Sequence, residues 1–537
     1  MHCHLMNFDD ANAAAFAARH VSSYAALPVQ FATNIAGVAT DTAKAETREL
    51  RKLVEEAKSN NISDAEAAFR LCEKATSRQK GFGLSDNYLP TAIDRGATIP
   101  LDIGDGRKFG FTSNRLRNAS LMMMMWPEID FFMPSMVDFY EGIRKGTSEV
   151  FHGEHPKDQA EFYTQLHLAS RGRFLPLVSF NPERKYFEDI SKPTPKEREK
   201  NFLKQLDFIK ASVFERGFVG VKVHPSTGFD PLDNEKYGCA NTGFRRQGRF
   251  TSDEAKGIDA AMEGLYEFCR ENDVPLLTHN SDGLSANSDC MQQAEDPLEW
   301  SNSSSHWIDT INKSVHSGKL SVCLAHFASR FRDHLRGENP ERFGKDPYPE
   351  GEPEVEYEKK NGRQELVPSK WLQAAVEEIT LNPTGQLWLD LSHMPQLAYS
   401  QAQNHRADEN PTQAREEAGF FGDREYPFDD GGKLARAFAR FFSERSPLHD
   451  RTMYGTDWHM PEISEFGPLY RPLIEELIPE EAREKVMGLN AVNFFGLQKG
   501  GQNRSRLEAF YKRHGMDPGD IKWIQRVDAR ASGVLPG

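Results

Sequence analysis

No stretch of about 18 apolar residues occurs in this chain, so no membrane span is expected. The N-terminus has neither the basic nor the apolar region of a signal peptide, and a histidine stands at position 2; the cytoplasm is the expected compartment. Cysteine is scarce: Cys3, Cys72, Cys239, Cys269, Cys290 and Cys323 lie far apart, with no Cys-x-x-Cys. That argues against a disulfide framework and a zinc ribbon. Basic charge is in deficit, 66 Lys and Arg against 80 Asp and Glu, for a net −14. Sequence-independent binding to nucleic acid needs a basic face, so no nucleic-acid partner is expected. No internal repeat is visible. What remains is a globular composition, 38 % apolar and 27 % charged over 537 residues. That length holds one large domain with insertions or two to three ordinary ones.

Short apolar runs recur, each ending in a polar residue or a turn. They are 174–180 (FLPLVSF), 218–224 (FVGVKVH), 274–279 (VPLLTH), 320–326 (LSVCLAH), 386–391 (QLWLDL) and 452–457 (TMYGTD). Residues 130–136 (DFFMPSM) are a weaker candidate, because Pro134 lies inside. Such runs fit strands buried on both faces, as in a parallel sheet. Their starts advance by 44, 56, 46, 66 and 66 residues, and a strand with its crossover helix needs at least ~30. Helical patterns fill the gaps. Thr251 and Glu254 form a capping box ahead of 253–271, where Ile258, Met262, Leu265, Tyr266 and Cys269 share one face. Residues 307–315, 369–379 and 433–442 look similar. The pattern predicts α/β. Seven strands plus a fragment at 1–8 point to a (β/α)8 barrel over residues 1–500. A charged helical insertion is expected at 41–78 and a polar loop insertion at 331–364, with 501–537 as a C-terminal extension.

Polar residues cluster at the C-terminal ends of these runs. His2 and His4 are two apart and face one side of a strand. Lys222 and His224 end one run, His279 and His326 the next two, and Asp457 the last. In a β/α barrel those ends converge on one mouth. Imidazoles and a carboxylate meeting there suit a divalent ion such as Zn²⁺. Each piece alone has a plainer reading: a strand-end histidine is usually a hydrogen-bonding structural residue, and an aspartate before a turn is usually a cap. The conjunction in consistent order is what favours a metal.

The segments 1–8 (MHCHLMNF), 220–228 (GVKVHPSTG), 275–280 (PLLTHN), 324–330 (LAHFASR), 454–458 (YGTDW) and 489–497 (LNAVNFFGL) occur in order. Together they resemble the amidohydrolase superfamily, in the amidohydrolase-related branch that includes decarboxylases and lactonases. The resemblance implies a metal-dependent (β/α)8 barrel. It makes His2, His4, His279 and Asp457 the ligands of one divalent ion, zinc by preference. His326 becomes the histidine that handles a proton or polarises the substrate. The chain departs from the family at its start: His2 directly follows Met1, where the family has several apolar residues. The first strand is therefore expected to be cut short, and restoring residues upstream to raise metal occupancy and stability.

Bound zinc lowers the pKa of water from ~15.7 to roughly 7, with Asp457 accepting its proton. Hydrolysis of a C–N or C–O bond in a small organic substrate is the leading expectation. A non-oxidative decarboxylase on the same barrel is the first alternative, and a catalytically inactive barrel used as a binding module the second. In binuclear relatives a carbamylated lysine at the position of Lys222 bridges two metals. In the branch resembled here, one metal is the expectation, and Lys222 then binds a substrate anion or is structural. His224, Arg330, His393 and His459 are further candidates for contact with substrate. His152 and His155 read as surface residues, and Met122–Met125 with Trp126 as apolar packing. A homo-oligomer stays open.

Overall fold

The computed structural model describes residues 2–3, 42–60, 115–138, 156–182, 195–238, 250–280, 297–328, 355–360, 363–392, 394, 397–398, 400–401, 432–458 and 470–531. Its strands are β1 (His2–Cys3), β2 (Met133–Pro134), β3 (Leu177–Phe180), β4 (Gly220–Val223), β5 (Leu276–Thr278), β6 (Val322–Leu324), β7 (Val355–Lys360), β8 (Arg363–Pro368), β9 (Leu387–Asp390), β10 (Thr452–Met453) and β11 (Gly455–Trp458). Every ladder is parallel except that of the β7–β8 hairpin. One sheet runs β10-β9-β6-β5-β4-β3, and in a second β1 lies between β11 and β2. Bridges Phe132↔Phe174 and Ser135↔Leu177 link β2 to β3. β10 and β11 are halves of one run, parted at Tyr454, whose N–H donates to Val486 O at 2.8 Å. The α/β class with a parallel sheet is thus present, and β3 to β6 and β9 are buried throughout.

The β3 and β5 ladders start later than their apolar runs for a backbone reason. Pro176 and Pro275 stand just ahead of β3 and β5 and have no N–H to donate. Their carbonyls still accept, from Val219 N and Val221 N, each at 3.0 Å. Pro134 is tolerated inside β2 because Ser135 N, one residue on, supplies the donor to Cys3 O at 2.8 Å.

The longer helices are α1 (Ala43–Asn60), α2 (Arg115–Met125), α3 (Pro156–Ala169), α4 (Pro195–Glu215), α5 (Ser252–Glu271), α6 (Ser304–Asn312), α7 (Lys370–Leu381), α8 (Lys433–Ser443), α9 (Gln502–Arg513) and α10 (Lys522–Ala531). The capping box on α5 forms in both directions, and the apolar face read from its sequence is buried. In α2, Met122 and Met123 are buried with Trp126 just beyond it, as apolar packing. Among the described residues no helix is long and apolar enough to cross a membrane.

The described parts of the added segments carry regular structure. α1 occupies the expected helical insertion and is anchored by a buried ion pair, Arg115 Nη1 to Glu46 Oε2 at 2.6 Å. The polar insertion expected as a loop at 331–364 ends in a hairpin. There Val355 stands opposite Pro368 and Tyr357 opposite Leu366, so the period-two alternation outweighs the polar composition. Residues 501–537, read as an extension, supply α9 and α10, whose Leu507, Phe510, Tyr511, Trp523 and Ile524 belong to the main core. Asn503 Nδ2 donates to Val219 O at 2.6 Å, just before β4.

Candidate functional site

Parallel pairing brings the strand-end residues to one edge of the sheet. Val223 pairs with Thr278, Thr278 with Leu324, and Leu324 with Leu389. The residues that follow each therefore stand side by side. His279 N donates to Val223 O at 3.0 Å as the chain leaves β5. The His224 and His279 rings are 6.4 Å apart and nearly parallel. The His279 and His326 rings are 4.7 Å apart at 68°.

These rings form a directed chain. His326 Nδ1 lies 3.1 Å from Ser392 O, which can only accept, so Nδ1 carries the hydrogen. Ser392 Oγ donates to Asp390 Oδ1, so it too can only accept from that nitrogen, at 3.2 Å. In a neutral His326 the other nitrogen, Nε2, is then an acceptor. Its partner is His279 Nδ1 at 2.9 Å, which must donate. A neutral His279 that donates through Nδ1 keeps its lone pair on Nε2. The order of hydrogens thus fixes the nitrogen by which His279 can bind a cation.

The turn after β6 is strained. His326, Phe327 and Ala328 have φ of 62°, 56° and 54°, and Asp457 has φ of 52°. Left-handed conformations in such residues cost on the order of 1–3 kcal/mol each and persist only where the surroundings hold them. Here Asp390 Oδ1 accepts from His326 N and Ser392 N, each at 3.0 Å, and from Ser392 Oγ. The buried Phe327 ring packs against Phe438 at 5.6 Å. The strain is spent on turning His326 toward His279.

Lys222 lies in β4, wholly buried, and its Nζ has no hydrogen-bond partner among the described residues. Burial pulls its pKa below the usual lysine range, while the Asp457 and Asp390 carboxylates and the Cys323 sulfur act to raise it. The Cys3 thiol is pushed up by burial, and Asp457 adds to that rise. Asp457 is therefore within electrostatic reach of both β1 and β4.

Of the residues expected at the site, His224, His279 and His326 stand together at this edge, Lys222 lies within β4, and Asp457 lies in β11 of the other sheet, within electrostatic reach of Lys222. His2 is placed in β1 by its backbone. Its side chain, and all of His4, His152, His155, Arg330, His393 and His459, lie outside the described residues. Among the described residues, no three His, Cys, Asp or Glu side chains gather into a metal-holding group. The described donors fit zinc in kind, being one imidazole with its lone pair fixed on Nε2 and one carboxylate. Both ring nitrogens of His326 are engaged, so as placed it orients His279. Asp390 and Ser392 were not singled out from sequence. Asp390 was findable, since it ends the LWLD run as Asp457 ends GTD. Ser392 acts through its backbone carbonyl and left no signal.

No family model and no curated protein matches the chain. Solved structures similar to it include an amidohydrolase II, with 12 % identity over 70 % of this chain and 87 % of the other, TM-score 0.31. Another is 5-carboxyvanillate decarboxylase from Sphingomonas paucimobilis, with 12 % identity over 81 % and 96 %, TM-score 0.31. A third is an amidohydrolase from Mycobacterium avium subsp. paratuberculosis K-10, with 14 % identity over 71 % and 74 %, TM-score 0.28. Likeness this distant leaves the chemistry to be argued from the residues themselves.

Proposed function

We propose that the chain is a metal-dependent enzyme of the amidohydrolase type, its eight parallel strand positions closing as a (β/α)8 barrel. One divalent ion per chain, zinc by preference, would be held by His2, His4, His279 and Asp457. The observation that supports this best is the Ser392–His326–His279 hydrogen-bond order, which puts the lone pair of a neutral His279 on Nε2, a nitrogen able to bind a cation. When bound, such an ion would supply a Lewis acid that polarises a carbonyl oxygen and acidifies a water. Asp457 accepts the proton of the attacking water. His326 holds His279 in its donating tautomer. Lys222, His224, Arg330, His393 and His459 bind the substrate. The reaction is hydrolysis of a C–N or C–O bond in a small organic molecule.

A second reading, non-oxidative decarboxylation, draws on Lys222. A buried lysine whose Nζ has no hydrogen-bond partner among the described residues is suited to a substrate carboxylate, whose charge would favour its protonated form. The two readings differ in product. Metal-loaded protein is offered amides, lactones and aromatic carboxylates; a cleaved or ring-opened acid supports hydrolysis, and free CO₂ supports decarboxylation. A protein that takes up no divalent ion would end both.

A further inference from the structure

We propose that Asp230 is a positioning residue for His279, acting through Asn302; this rests on the reading of His279 as a metal ligand. Asp230 is fully buried, ten residues past the start of β4, and sequence reading did not single it out. A buried carboxylate persists only when its oxygens are met. Its Oδ1 accepts from Leu232 N at 3.2 Å, and its Oδ2 from His306 Nδ1 at 3.0 Å and Asn302 N at 2.5 Å. The short bond to Asn302 is charge-assisted.

Asn302 in turn uses every polar group it has. Its N–H is held by Asp230. Its Nδ2 donates to His279 O at 3.1 Å, and its carbonyl accepts from Asn280 Nδ2 at 2.8 Å. Its Oδ1 accepts from Trp307 Nε1 at 2.8 Å. Asn302 therefore grips the backbone of His279 and the side chain of the next residue at once. It does so with φ of 65°, a conformation that asparagine tolerates better than most residues and that the Asp230 bond helps to hold. The His279 ring is thus fixed from two directions: His326 sets its tautomer, and the Asp230–Asn302 pair sets the backbone from which it projects. A structural role alone would be met by any partner for Asp230; what points to His279 is that Asn302 spends its amide there.

The test uses the full chain and three variants, Asp230→Asn, Asn302→Gly and His279→Ala. Zn²⁺ affinity is measured by competition with a chromophoric chelator, together with melting of the metal-free protein and the visible spectrum of the Co²⁺ form. Partners that orient a ligand typically cost ~10–100-fold in metal affinity when removed. Asp230→Asn and Asn302→Gly should each weaken Zn²⁺ binding by about that much and alter the Co²⁺ bands. The metal-free Asn302→Gly protein should still fold, since glycine takes a positive φ without strain, but melt somewhat lower because Trp307 Nε1 loses its acceptor. Asn302→Gly therefore carries the test if Asp230→Asn does not fold. Wild-type affinity in the foldable variants, with binding lost in His279→Ala, would overturn the positioning role alone. Full affinity in His279→Ala would overturn the ligand reading and the positioning role with it.

Discussion

Asp457 is the residue on which turnover should depend most. It lies at the end of the last parallel run in a left-handed conformation, within electrostatic reach of Lys222 and Cys3. Asp457→Asn keeps the shape and removes the charge and the proton acceptor. General-base work is typically worth about 10²–10⁴-fold, so turnover should fall by at least that range. Most of the metal should stay on the remaining histidines, as elemental analysis of the same preparation would record. Were Asp457 only a turn cap, asparagine would serve nearly as well, and near-normal turnover would show it. At this scale the sequence was legible wherever a chemically distinctive side chain closed an apolar run, as with His279, His326 and Asp457. It was silent on Ser392, which acts through its backbone carbonyl, and on Asn302, whose side-chain amide meets the His279 carbonyl only in the fold.

Among the elements, the helices beyond residue 500 are fastened by a buried histidine. His167, in α3, lies with Nδ1 3.1 Å from Gly217 O and Nε2 2.7 Å from Tyr511 Oη in α9. The carbonyl fixes the hydrogen on Nδ1, so the Tyr511 hydroxyl donates to Nε2 and itself accepts from Trp523 Nε1 in α10 at 3.4 Å. Burial pulls the His167 pKa down from 6.5 to about 3. The folded state thus binds fewer protons than the unfolded one between those values. Its contribution is complete above pH 6.5 and is lost as pH falls toward 3, by up to about 1.4 kcal/mol per pH unit. Denaturant unfolding from pH 7 to 4.5 should show a steeper loss in wild type than in His167→Gln; parallel curves would remove His167 from the account. A second fastening is the Arg115–Glu46 pair, with both side chains fully buried. Glu46→Ala leaves the guanidinium uncompensated and should cost about 3–5 kcal/mol, read as a lower denaturation midpoint. α5 was legible from its spacing, because an amphipathic face is a local pattern, and α1 from its charged, helix-like composition. That α9 and α10 join the main core was not, because Tyr511 and Trp523 find their partners more than 300 residues away or through a turn.

For the molecule as a whole, the parallel α/β class followed from the repeated runs, and where β1 would sit followed from nothing local. β1 pairs with Met133 and Gly455 from His2 onward. Phe131, two residues ahead of Met133, and Tyr454, just ahead of Gly455, line a cavity of about 600 Å³ with Asp130, Arg471, Val486 and Arg526 among others. The Tyr454 hydroxyl there is buried without a hydrogen-bond partner among the described residues. A designed extension of β1 by ~5 residues spans roughly 16 Å and would enter this space. Each apolar side chain it buries is worth about 1.5–3 kcal/mol. Such an extended protein should melt several degrees higher and hold more metal; an unchanged melting temperature would show that the cavity does not take a strand. If His279 and Asp457 build a single metal site, purified protein should carry about one zinc ion per chain and His279→Ala almost none, as elemental analysis would record. No zinc in either protein, or equal zinc in both, would end that reading.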